Sequence, residues 1–413
     1  MKERPKIAYA GTSALAAEWF MRGQLRFLKE AGFEVTVVTA PGRGLERARE
    51  QQGVEAVAVE MNREGSVWED VRSLYRFWRT LRRIRPDLTN VGTPKAGLLG
   101  GIAAWLNGVP CRIYTLHGLR LETTRGLERM VLQLCERVAC GCAHEVISVS
   151  ESLREKAVAL GIVAPEKIRV VGAGSCNGVD VERFAASAEL ASRAAALRRK
   201  LGFAAEAPVL GFVGRFTRDK GITELLEAFD LLSGSLPELR LLLVGDFEDG
   251  DPVPEWARRR IESDPRIRYS GFVEEIETYY HAMNVLALPT YREGLPNTIL
   301  EAYAAGKPVV ATRATGVVDA VVDGETGILV AIGDSQALAE GCGRLLRDAK
   351  LAEAMGEAGR ARVVELYRQE AVWEGLLQEY LRLLGEKAVS LRGKAEEKSD
   401  GVAGKSLGRA ANA

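Results

Sequence analysis

Val209–Leu232 reads VLGFVGRFTRDKGITELLEAFDLL: an apolar run, a basic turn between two glycines, then apolar residues at helical spacing. With the strand LRLLLVG that follows at 239–245, it makes a strand–helix–strand unit of the kind that builds a parallel sheet covered by helices. The same order opens the chain. KIAYA at 6–10, a glycine turn, the helical EWFMRGQLRFLKEAG and the strand EVTVVTAPG start an alternation that runs through EVISVSESL at 145–153. Two starts predict an α/β protein with two Rossmann-like, doubly wound domains facing each other across a cleft, with ligands at the carboxyl ends of the strands.

Between the starts lies VVGAGSCNGVDVERF (170–184), whose glycines and Asn-Gly pair have the composition of a connector. The expected domains are therefore 1–182 and 183–364. A terminal helix over 365–389 follows, read from the periodic VVELYRQEAVWEGLLQEYLRLL and expected to pack back toward the first domain. Residues 390–413 lack aromatic and β-branched bulk, which predicts a disordered tail.

Composition sets the outer bounds. At 413 residues, 47% apolar, the chain can bury two cores. Lys plus Arg and Asp plus Glu both total 56, so no global charge draws it to nucleic acid, and attraction to anions must be local. Six cysteines form no disulfide framework in a chain this long, which suits a reducing, cytoplasmic setting. Lys2, Arg4 and Lys6 before IAYAGTSALAA loosely mimic a signal peptide, but Gly11, Thr12 and Ser13 break that run, and a first strand with a glycine loop fits better. The longest apolar stretch, AGLLGGIAAWL (96–106), falls short of the roughly 18 residues that a membrane span needs.

Two segments have the make-up of a binding site. In GRFTRDKG (214–221), Arg215 and Lys220 follow a strand, where two fixed cations can neutralise a diphosphate; an ordinary solvated basic turn reads the same way. In YREGLPNTILEAYAAG (291–306), Pro296 suits the first position of a helix, which leaves N–H groups around Gly294 to Thr298 free to meet phosphate. Glu293 precedes that helix and Glu301 lies inside it, so the two can serve different hydroxyls of one ligand; as a plainer alternative, both complement the helix dipole.

His117, before Gly118 at a strand end, is a third candidate, set against the structural role usual for a lone histidine. Cys140, Cys142 and His144 lack a standard zinc spacing, and Asp249-Gly250-Asp251 reads as a solvated acidic turn. The segment VRSLYRFWRTLRRIR (71–85) places Val71, Leu74, Tyr75, Trp78 and Leu81 on one helical face, with arginines mostly elsewhere. It reads as a sheet-covering helix with a basic outer face, or as a contact for an anionic membrane.

Taken together, GRFTRDKG, LRLLLVGD, IRYSGFV, YREGLPNTILEAYAAGKPVVAT and VVDGETGILV resemble the nucleotide-sugar half of retaining GT-B glycosyltransferases of family 4. RFLKEAGFEVTVVTAPG, IRPDLTNVGTPKAGLLG, YTLHGLRLET and NGVD extend the resemblance over nearly the whole chain. It implies a glycosyltransferase without metal or other cofactor that moves a sugar from a nucleoside diphosphate, UDP first among them, to a glycan or lipid-linked glycan at the inner face of a membrane.

By the same resemblance Arg215 and Lys220 clamp the diphosphate, and Glu301 holds the ribose. Glu293 holds donor-sugar hydroxyls; Gly294, Leu295, Asn297 and Thr298 approach sugar and phosphate; Phe272 and Val273 border the base; and His117 lies near the reacting sugar. Gly11 stands where many relatives carry two glycines, since here the loop reads Gly11-Thr12-Ser13. Two other readings remain open: a nucleotide-sugar epimerase of the same fold and a two-lobed solute-binding protein.

Overall fold

A computed structural model describes residues 4–19, 21–61 and 67–386. The tail expected to be disordered lies outside the described residues. Parallel strands buried on both faces read as continuous apolar runs, and the central strands Val209–Val213 and Val285–Leu288 do so. The first sheet holds β1 (Lys6–Ala10), β2 (Glu34–Thr39), β3 (Glu55–Ala58), β4 (Leu88–Gly92), β5 (Cys111–Leu116), β6 (Glu145–Ser148) and β7 (Ile168–Val170), in the order β3-β2-β1-β4-β5-β6-β7. The second holds β8 (Val209–Val213), β9 (Arg240–Val244), β10 (Ile267–Tyr269), β11 (Val285–Leu288), β12 (Val309–Thr312) and β13 (Gly327–Val330), in the order β10-β9-β8-β11-β12-β13.

Each sheet starts in its middle and winds outward in both directions, so chain order reverses between β1 and β4 and again between β8 and β11. β8 pairs in parallel with both β9 and β11. Every residue of β8 and β11 is buried, and the helix Ile222–Ser233 covers the sheet with Ile222, Leu225, Leu226, Phe229 and Leu232.

The described chain divides into two compact units. One comprises the residues up to Tyr114, Val138–Val146 and those from Glu374 on; the other comprises Thr115–Arg137 and Ile147–Trp373. In the first unit the part of the last helix (369–386) from Glu374 on lies against the sheet: the Tyr380 hydroxyl accepts from Asn90 Nδ2 at 2.7 Å, meets the Tyr9 hydroxyl, and is fully buried.

Three sequence expectations change. The periodic run read as one terminal helix is two, Ala349–Leu366 and 369–386, because the Tyr367 carbonyl accepts from Val179 N (2.8 Å) and Gln369 N donates to the Val179 carbonyl (3.3 Å), pulling 367–369 out of helical pairing. The basic helix, Val67–Ile84, buries only Leu81 of the expected face, with Leu74 and Trp78 half-buried, and adds Ser73 and Phe77. Val71 and Tyr75 are exposed with Val67 and Trp68, since the helix is turned so that Phe77 meets the core. Asp251 is no mere solvated turn: its carboxylate accepts from Asp219 N at 3.0 Å and from Arg218 Nε at 3.1 Å, which braces the turn after β8.

Cys140 and Cys142 end a helix, Gly126–Cys142, and the His144 Nδ1 accepts from Arg112 N at 3.1 Å. Among the described residues no group of three His, Cys, Asp or Glu side chains is placed to hold a metal ion, and no helix is long and apolar enough to cross a membrane.

Candidate active site

The loops that leave β8 and β11 emerge at the carboxyl edge of the second sheet, at its reversal of chain order, the usual ligand position in open α/β sheets. They are cross-braced. The Tyr291 N–H donates to the Asp219 carbonyl at 2.8 Å, Arg292 Nη2 pairs with the Asp219 carboxylate at 2.5 Å, and the Lys220 ammonium pairs with Glu293. Lys220 and Glu293 are each 14% exposed, so this pair is held at the rim of the core, not loose in solvent. Burial alone would raise the Asp219 carboxyl, but Arg292, the Thr217 hydroxyl, Lys220 and Arg215 together bring it below its ordinary value. Lys220 itself sits on the single 3-10 turn Arg218–Lys220, closed by Gly221 at φ 70°.

Gly294 explains why a glycine stands next to the first glutamate. A Cβ there would overlap the His117 carbonyl and come within 2.9 Å of Val149 Cγ2. The backbone after β5 therefore packs directly on the backbone after β11. Ser150 Oγ donates to the Gly294 carbonyl at 2.6 Å and locks the approach. The His117 carbonyl is thereby set against Gly294, next to Glu293, and burial lowers its imidazole to about 4, which keeps it neutral at physiological pH.

The helix Asn297–Ala304 begins one residue later than expected, with Pro296 at its cap and no side chain capping it. Leu295 is buried, Asn297 and Thr298 are half-buried, and the Asn297 Oδ1 is buried without a hydrogen-bond partner. Glu301 lies in the second turn, where its carboxylate accepts from the Tyr280 hydroxyl at 2.8 Å; burial raises its carboxyl to about 7.

The structure thus brings Lys220, Glu293, Gly294 and His117 together. Arg215 pairs instead with Glu248 on the loop after β9 and is half exposed. Phe272, exposed, and Val273 follow β10, two strands from β8; there the Gly245 N–H donates to the Gly271 carbonyl at 3.0 Å. Gly11 belongs to the first unit, where its N–H donates to the Val38 carbonyl (3.1 Å) and the Thr12 N–H donates to Thr93 Oγ1 (3.1 Å), so neither N–H is left for a phosphate. Asp219 and Arg292, which fix the site, escaped the sequence reading. The only signal was that each adjoins a chosen residue.

Two family models match: "Glycosyl transferases group 1" over residues 207–348 and "Glycosyl transferase 4-like domain" over residues 16–174. The chain is 36% identical over 366 residues to the capsular polysaccharide biosynthesis glycosyltransferase CapM of Staphylococcus aureus, covering 89% of this chain and 94% of that protein. It is 28% identical to an Escherichia coli UDP-Gal:alpha-D-GlcNAc-diphosphoundecaprenol alpha-1,3-galactosyltransferase, over 72% of this chain and 76% of the other. Among solved structures, Anabaena Alr3699/HepE in complex with UDP and glucose superposes with a TM-score of 0.76 at 23% identity, over 91% of this chain and 99% of that one, which shows a shared fold. The chain belongs to the group 1, family 4-like glycosyltransferases and is a glycosyltransferase of the GT-B fold.

Proposed function

We propose that this enzyme moves a hexose or N-acetylhexosamine from UDP to a hydroxyl of a polyprenyl-diphosphate-linked glycan during surface polysaccharide assembly, with retention at the anomeric carbon and no metal. The observation that carries this reading is the Lys220–Glu293 pair at the β8–β11 reversal, with the His117 backbone packed on Gly294. Departure of UDP builds negative charge on its phosphates. Lys220, Arg215 and the uncapped helix start at Asn297 supply opposing charge and N–H donors, which is where preorganised electrostatics contributes most.

Glu293 and neutral His117 take sugar hydroxyls, and the Glu301 carboxylate takes the ribose hydroxyls. Glu293 is no nucleophile in this scheme: Lys220 holds its carboxylate, and the acceptor attacks on the leaving group's face, the donor phosphate helping to take its proton. The lipid-linked acceptor agrees with the diphosphoundecaprenol substrate in the name of the E. coli relative, and UDP with that relative and with the ligand of the Anabaena structure.

The lipid-linked acceptor also calls for a membrane contact at the cytoplasmic face. Helix Val67–Ile84 offers one: Val67, Trp68, Val71 and Tyr75 are exposed among Arg72, Arg76, Arg79, Arg82 and Arg83. The Arg79 guanidinium lies 5.9 Å from the Tyr75 ring and that of Arg82 lies 5.2 Å from the Trp78 ring, so the aromatic and basic groups form one surface.

A melting screen over nucleoside diphosphates and their sugars tests the donor. UDP at a hundred times its dissociation constant should stabilise the protein by about 2.7 kcal/mol, and Lys220→Ala should abolish the shift. No shift with any nucleotide, or one that survives Lys220→Ala unchanged, contradicts the assignment. The same fold could serve an epimerase, which would turn over the nucleotide sugar without an acceptor.

A further inference from the structure

We infer that Glu122 is a sugar-hydroxyl ligand of this active site, a role that neither the fold nor the sequence motifs assign to it. The inference rests on the glycosyl-transfer reading above and adds a residue to it. Glu122 ends the 3-10 turn Arg120–Glu122, which follows β5 and the His117–Gly118 step. Its side chain is only 9% exposed. One carboxylate oxygen, Oε2, accepts from Thr315 Oγ1 at 2.6 Å and has Lys156 Nζ at 3.9 Å. The other, Oε1, is buried and has no hydrogen-bond partner.

A buried carboxylate oxygen left bare is uncommon, because it gives up water and receives nothing in return. The residue that carries it is tied to the Glu293 loop by two short links. The Thr315 carbonyl accepts the Glu293 N–H at 3.1 Å, so the residue that holds Glu122 also holds Glu293. Arg292, next to Glu293, donates from Nε to the Thr123 hydroxyl at 3.1 Å, next to Glu122. In the same loop, the Thr124 hydroxyl is also buried without a partner. Burial raises the Glu122 carboxyl despite Thr315, Lys156 and Arg292, which are not enough to offset its loss of water.

A carboxylate with one oxygen fixed by a threonine and the other bare, two residues from a bare hydroxyl, suits the donor hydroxyls of a sugar ring. That sugar is either the one being transferred or the acceptor's terminal residue, and kinetics tell them apart.

The test uses the full chain, with UDP-hexose as donor and a short prenyl-diphosphate sugar as acceptor. Glu122→Gln keeps the shape and removes the charge; Thr315→Val keeps Glu122 and removes its anchor, and it serves if the first variant melts early. The KM for one sugar substrate should rise more than fivefold in either variant, with the KM of the other and the affinity for UDP unchanged. A rise for the donor, matched by weaker binding of UDP-hexose, assigns the transferred sugar; a rise for the acceptor assigns the acceptor. The inference is overturned if both KM values stay within fivefold of wild type, or if kcat and melting temperature fall together with no selective change in KM. A wild type that binds no nucleotide sugar contradicts the site reading itself and this inference with it.

Discussion

Gly294 has no room for a side chain because the carbonyl of His117 occupies the place a Cβ would take, and the contact joins the two loops that carry the proposed sugar ligands. Gly294→Ala should therefore separate them by a fraction of an ångström to an ångström, a shift that can cost about a hundredfold in rate. Steady-state kinetics beside a melting curve would show a large loss of kcat/KM in a protein that still folds.

Two half-buried groups give a pH signature with opposite signs. Glu301 has a folded value of about 7 against an ordinary 4.5, so the folded state holds the extra proton and stability falls as pH rises through that window. His117, lowered to about 4 from 6.5, works the other way: its contribution is full above 6.5 and is lost as pH falls toward 4. The slopes largely cancel in the wild type. Glu301→Gln should leave stability rising between pH 4.5 and 6.5, and His117→Gln should leave it falling, both readable in denaturant titrations.

If Glu301 binds ribose hydroxyls as a carboxylate, UDP binding near pH 6 should release protons, seen as a calorimetric heat that depends on the buffer's ionisation enthalpy. Much at this scale was legible beforehand, because glycines, a proline and paired charges near strand ends mark a ligand edge. Asp219–Arg292 and Glu122–Thr315 were not legible: they join residues 73 and 193 positions apart, and only the strand order brings such partners together.

At the scale of elements, strands buried on both faces declared themselves by unbroken apolar runs, and so did the helix Ile222–Ser233 by its spacing. Helix rotation did not. In Val67–Ile84 apolar residues occur on more than one face, and only the core decides that Phe77 and Leu81 turn inward while Trp68 and Tyr75 stay out. That exposed face predicts sedimentation with vesicles containing anionic phosphatidylglycerol and little with phosphatidylcholine alone; replacing Trp68 and Tyr75 with serine should reduce binding, and high salt should weaken it. The break at Tyr367 was likewise invisible to periodicity, since it is imposed by pairing with Val179. The helix that follows is held to the first sheet by Tyr380, whose replacement by Phe removes the hydrogen bond from Asn90 Nδ2. The expected cost is about 0.5–1.5 kcal/mol, measured as an earlier transition in thermal melting.

The whole molecule repeats one design: a parallel sheet begun in the middle, reversing where its first strand meets its fourth. Two starts in the sequence were enough to anticipate this, and the second sheet's reversal is where Lys220 and Glu293 converge. If that convergence is the active site, the chain transfers a sugar from UDP with its configuration kept. Proton NMR of the product from UDP-α-hexose and a prenyl-diphosphate acceptor tests it, since the anomeric coupling constant reports the configuration of the new bond. An α-linked product, lost with Lys220→Ala, is the predicted result. A β-linked product, or an epimerised nucleotide sugar formed without acceptor, would contradict it.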